Sequence, residues 1–153
     1  MIRVLFPLLL ATFAQTALAC PQPPDAARMA KATLAAINDE RAAKNLPALA
    51  PDPRLTVAAQ NHACDSAARN QLGHKGSDGS TLADRARRVG YRYREIAENV
   101  AQGYPGPASV VRGWMDSAGH RRNILLRGAQ DVGLGLAVGG NGDLHWVLVL
   151  GRD

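Results

Sequence analysis

Residues 131–151, DVGLGLAVGGNGDLHWVLVLG, decide how this chain is put together. Val132, Leu134, Leu136 and Val138 alternate with glycine or alanine, the two-residue period of a strand with one apolar face and one side-chain-poor face. Residues 139–143, GGNGD, are a strong hairpin turn, and 144–151 return as the partner strand. The segments before residue 131 follow the helical period instead. Helices feeding a C-terminal antiparallel hairpin define an α+β domain.

Four helices are predicted. After CPQPPD, Asp25 is placed to cap one that runs to about Asn45, with Met29, Leu34 and Ile37 on a single stripe. The prolines of NLPALAPDP end it. Asp52-Pro53 then starts a second helix, to about Gln71, in the favoured cap-then-proline order. Leu55, Ala58, Ala59, His62 and Ala63 form its buried stripe, and so many alanines imply close packing on another element. LGHKGSDGS (72–80) is a loop. Thr81 or Ser80 caps a short helix carrying Leu82, Ala86 and Val89, which Gly90 ends. Residues 91–107 mix an extended start, a turn of helix and a Gly/Pro-rich exit. From Pro107 to Asp116 a helix presents Val110, Val111 and Trp114 together. No repeat and no second domain is visible.

The two ends bear on where the protein works. Residues 1–19 carry Arg3, an apolar stretch and a closing Ala17-Leu18-Ala19, the layout of a secretory signal peptide rather than a spanning helix. The expectation is an exported protein, periplasmic or extracellular, whose residues 20–153 form one monomeric domain with a real core. In an exported chain the two cysteines, Cys20 and Cys64, read first as a disulfide; lipidation of Cys20 is the rival. The formal charge of +5, carried nearly all by arginine, falls to +4 without Arg3 and suits anionic surfaces. Those arginines are spread along the chain rather than clustered, which argues against nucleic acid as the partner.

Familiar catalytic signatures are absent: there is no HExxH, no GxSxG elbow and no paired CxxC. His62 lies on an apolar helix stripe and reads as a core histidine. His145 is in phase with Val147 and Val149 and lines the sheet. His74 and His120 differ, since both fall in glycine-bearing loops where backbone can approach a bound group. Glutamate is limited to Glu40, Glu95 and Glu98. Glu95 and Glu98 share a face if their segment is helical and point to opposite sides if it is extended.

Six stretches in order, 37–67 (INDERAAKNLPALAPDPRLTVAAQNHACDSA), 72–91 (LGHKGSDGSTLADRARRVGY), AENVAQG (97–103), VVRGWMDSAGHRRNIL (110–125), DVGLGLAV (131–138) and HWVLVLG (145–151), resemble the bacterial branch of the CAP superfamily. These are the cysteine-rich secretory, antigen 5 and pathogenesis-related 1 proteins, also called SCP domains. The resemblance covers roughly residues 30 to 151. It implies a three-layer α–β–α sandwich with a central antiparallel sheet, hence at least one strand more than the hairpin, in the Tyr91–Val100 region.

The resemblance also implies a cleft of two histidines and two acids that holds a divalent metal such as zinc in several members. His74, His120 and Glu98 take those places here; the fourth falls to Asp116 or Glu95. Two imidazoles and a carboxylate suit zinc, with an open position left for water. Two functions are compatible with that set. One is an exported binding module for an apolar, lipid or cell-envelope ligand. The alternative is a metal-dependent, peptidase-like hydrolase using the same cleft.

Overall fold

In the computed structural model, which describes residues 20–153, the chain is a four-stranded sheet between two helical layers. The leader read in residues 1–19 lies outside the described residues. The elements are α1 (Ala26–Ala42), β1 (Ala50–Pro51), α2 (Pro53–Arg69), α3 (Leu82–Arg88), β2 (Glu95–Gln102), α4 (Pro107–Asp116), α5 (Ala118–Ile124), β3 (Asp131–Val138) and β4 (Leu144–Arg152). The strand order is β1-β3-β4-β2, antiparallel except where the two-residue β1 runs parallel to β3. Among the described residues, no helix is long and apolar enough to cross a membrane.

The period-two reading of residues 131–151 explains the layering. On β3 and β4, Val132, Leu136, Trp146, Leu148 and Leu150 face α1, α4 and α5, where they pack with Ile37, Val110, Val111, Trp114 and Ile124. The opposite face carries Ala137, Val147 and Val149 against Leu55, Ala59 and Ala63 of α2. Here the poverty of side chains matters. A Cβ on Gly133 would fall 2.1 Å from the Leu55 carbonyl carbon, and one on Gly135 2.4 Å from that of Ala59. Glycine on the strand and alanine on the helix let α2 lie almost backbone to backbone on β3.

Local chemistry sets the helix ends. The Asp52 carboxylate accepts from the Arg54 and Leu55 amides at 2.7 and 3.1 Å, with Pro53 in the first turn. Thr81 and Asp84 form a reciprocal capping box at α3. Asp25 occupies the cap position of α1 without capping it, because its carboxylate pairs with Arg28 instead. The helix over α1 stops at Ala42, short of Asn45, which takes a positive φ.

Three elements differ from the sequence reading. β1 was not foreseen, and its two residues carry no period. β2 begins at Glu95 rather than Tyr91. A fifth helix, α5, forms where a glycine-bearing loop was expected, since two turns are too short to show an amphipathic stripe. Tertiary bonds hold it. The fully buried Arg41 guanidinium donates to the carbonyls of Pro47, Ile124, Leu126 and Ala129 at 2.8–3.1 Å. It thereby closes the C-terminal end of α5 and the turn after it.

Cys20 and Cys64 form a disulfide with Cα atoms 5.6 Å apart. The bond and a lipid on the Cys20 sulfur exclude each other, so the pair settles that alternative for the disulfide-bonded protein. The cross-link ties the start of the described chain to the middle of α2. Chain entropy gives such a loop up to about 4 kcal/mol.

Candidate functional site

The extended backbone of β2 answers the question of its two glutamates. Ile96, Glu98 and Val100 face α2 and α3, while Glu95, Ala97, Asn99 and Ala101 face the other layer. Glu98 is 5% exposed, and three side chains converge on its carboxylate. His74 Nδ1 donates to Oε1 at 2.9 Å, Arg85 Nη2 donates to Oε2 at 2.6 Å, and His62 Nε2 stands 3.9 Å from Oε1. A buried carboxylate needs such a partner, and Arg85 supplies the compensating charge. The same groups hold the 72–80 loop. His62 Nε2 donates to the Gly73 carbonyl at 2.8 Å, and Arg85 Nη1 donates to the carbonyls of His74 and Ser80 at 3.1 and 3.2 Å.

His120 reaches the site from the opposite layer, in the first turn of α5 rather than in a loop. β2 is an edge strand, so a residue of α5 on one face and the 72–80 loop on the other can approach each other around it. An asparagine pair makes the junction. Asn99 Nδ2 donates to the His120 carbonyl at 3.0 Å, and Asn123 Nδ2 donates to Asn99 Oδ1 at 2.9 Å and to the Glu98 carbonyl at 3.2 Å. Partial burial, and then the neighbouring His74, hold the His120 imidazole below the ordinary histidine range.

The remaining candidates stand elsewhere. Glu95 projects from the face opposite Glu98, with Oε2 against Gly128. Asp116 is exposed at the end of α4. His62 is the buried core histidine its stripe predicted, although it also borders the Glu98 carboxylate. His145 lines the sheet, bonded through Nδ1 to the Ser66 hydroxyl at 3.0 Å. Arg85, Asn99 and Asn123 were missed. Only the sequence neighbourhood of Asn99, immediately after Glu98, could have drawn attention to it.

Burial holds the His62 and His145 imidazoles below the ordinary range, overcoming for His62 the opposing pull of Glu98. The unfolded chain takes up these protons near pH ~6.5, and the folded chain takes them up only lower. Stability is therefore full above that pH and falls as pH drops, with a limiting slope of about 1.4 kcal/mol per pH unit for each imidazole. The lowered carboxylates, such as Asp52 and Asp65, act only below about pH 4. A melting temperature that declines steadily from pH 7 to pH 5 is the expected result; a flat profile there contradicts it.

As donors for a metal, these residues divide into two kinds. Among the described residues, no three His, Cys, Asp or Glu side chains are spaced to hold a metal ion. Both oxygens of Glu98 are engaged, and the Arg85 guanidinium would oppose a cation at Oε2. His74 is better placed: with Nδ1 directed at Glu98, Nε2 is left as its lone-pair nitrogen, the tautomer a carboxylate behind an imidazole imposes on a metal-binding histidine.

The α–β–α sandwich is the fold that the family resemblance implies for a CAP domain. The family model described as the cysteine-rich secretory protein family matches residues 34–150, and the chain belongs to that family. The uncharacterised protein YkwD of Bacillus subtilis is 32% identical over 104 residues, 68% of this chain and 40% of its own. The uncharacterised membrane protein YlbC of the same species is 27% identical over 85 residues, 56% of this chain and 25% of its own. The chain thus spans less than half the length of either relative. Among solved structures, an extracellular SCP-domain protein from Bacillus anthracis superposes with a TM-score of 0.75 at 27% identity, covering 87% of this chain and 45% of that one. An outer surface protein of Borrelia burgdorferi superposes with a TM-score of 0.78 at 20% identity, covering 87% and 98%. The latter shows the fold alone.

Proposed function

We propose that this protein is an exported binding module that recognises a cell-envelope ligand at the His74–His120 cleft, with the help of a divalent cation such as zinc. The observation that carries this reading is the bond from His74 Nδ1 to Glu98, which leaves the other nitrogen of a largely exposed ring for a ligand. His74 and His120 are the protein ligands; Glu98 orients His74 from behind, and Arg85 pairs with Glu98 in its buried place. Two protein nitrogens leave the other positions of a bound cation to water or to donor atoms of the partner. The leader-like residues 1–19, the disulfide and the likeness to an extracellular SCP-domain protein favour export.

The hydrolase alternative asks Glu98 to act as a free base. Its two oxygens already accept hydrogen bonds from His74 and Arg85, which favours a positioning role and so the binding reading. The test is retention on immobilised envelope polymer and on lipid vesicles, with zinc or with chelator. Zinc-dependent retention lost in both His74→Ala and His120→Ala is expected. Cleavage of peptide or ester panels by the zinc-loaded protein, with no retention, would replace this reading with the hydrolase.

A further inference from the structure

The disulfide between Cys20 and Cys64 is not sealed from solvent. Both residues are half-buried, and both line an open recess of ≈ 320 Å³. Its other walls, among them Ala67, Ala68, Gly139 and Gly140, are small or apolar, and none is charged. A small nucleophile can therefore approach the S–S bond without meeting a bulky side chain or a like charge.

The two sulfurs differ in what they touch. Gln60, one turn before Cys64 on α2, donates from Nε2 to Cys64 Sγ at 3.3 Å and stands 3.7 Å from Cys20 Sγ. That amide is held in place, since Nε2 also donates to the Leu136 carbonyl at 2.8 Å and Oε1 accepts from the Leu136 amide at 3.1 Å. A fixed donor at one sulfur favours that sulfur as a thiolate, and so as the leaving group in thiol–disulfide exchange. Cys64 is also anchored in the middle of α2, whereas Cys20 lies outside the regular elements. We propose that this disulfide is an exchange site for small-molecule thiols of the cysteine type. The incoming thiolate bonds to Cys20 Sγ, the Cys20–Cys64 bond breaks, and Cys64 leaves as a thiolate that accepts from Gln60. One thiolate enters and one is released within the protein, so the step needs no further oxidant or reductant. The product carries a mixed disulfide on Cys20 and a free Cys64. The site does not rest on the reading of the His74–His120 cleft.

The experiment exposes the folded, disulfide-bonded protein to excess cysteine at neutral pH, quenches samples with N-ethylmaleimide and locates the adducts by intact and peptide mass spectrometry. Circular dichroism follows the fold in parallel. A species with one cysteine on Cys20 and one maleimide on Cys64 is expected, formed in proportion to thiolate concentration while the protein stays folded. Ala68, an exposed position one turn beyond Cys64, lines the recess, so a charge placed there acts on the approaching thiolate. Ala68→Glu should slow the exchange about threefold, and Ala68→Lys should speed it about threefold. Absence of the Cys20 adduct overturns the proposal. So do adducts carried by Cys64 instead, exchange that proceeds only as the protein unfolds, or equal rates in the two Ala68 variants.

Discussion

Replacing Arg41 with methionine should destabilise the protein by about 4 kcal/mol or more, a large part of a small domain's total of roughly 5–15 kcal/mol. The methylene stem is matched in volume, so the loss falls on the guanidinium. Its removal strands the carbonyls of Pro47, Ile124, Leu126 and Ala129, which Arg41 now satisfies from within the core. Burial already pulls the Arg41 pKa downward, the mark of a cation that has given up water for those four acceptors. Urea unfolding of the two proteins measures the effect. A loss under about 1 kcal/mol would mean that water replaces the guanidinium easily and that the end of α5 does not depend on it.

Gly135→Ala should cost about 3 kcal/mol or more, at the upper end of what one added methyl does in a packed core. The new Cβ would stand 2.4 Å from both the carbonyl carbon and oxygen of Ala59, and those are backbone atoms that no rotamer change can move aside. Either α2 must lift off β3 or the strand must twist away. Because α2 also carries His62, whose bond to Gly73 holds the 72–80 loop, the damage should extend to the cleft. Gly140→Ala, with open space around it, is the matched control and should be nearly neutral. Thermal melts of both variants decide the point: similar midpoints would contradict direct helix-on-backbone packing.

The same pair of residues shows why part of the fold was legible. Gly133 and Gly135 alternate with Val132, Leu134 and Leu136, and the alanines of α2 repeat at helical spacing; each pattern announces its half of one contact. β2 announced itself less well. Its buried, two-sided environment gives AENVAQ no clean alternation, so the strand was expected only through family resemblance. α5 is invisible locally because the Asn99 and Arg41 bonds that stabilise it come from elsewhere in the chain.

The site divides the same way. His74, Glu98 and His120 could be named by motif, but their spacing of 24 and 22 residues says nothing of who touches whom. Arg85 is one of fifteen arginines and no composition or period distinguishes it. What singles it out is the fold: α3 lies over the buried end of Glu98, where an uncompensated carboxylate would be expensive. The notion of three direct ligands came with the family resemblance. The bonds at Glu98 instead favour two imidazoles with a carboxylate behind one of them.

The most direct test of that arrangement is a calorimetric zinc titration of metal-stripped, disulfide-bonded protein, run beside His74→Ala, His120→Ala and Asp116→Ala. The account predicts one zinc per chain, binding lost in both histidine variants and unchanged in Asp116→Ala. Full-strength binding that survives loss of either histidine, or no binding by the folded wild type, would contradict it.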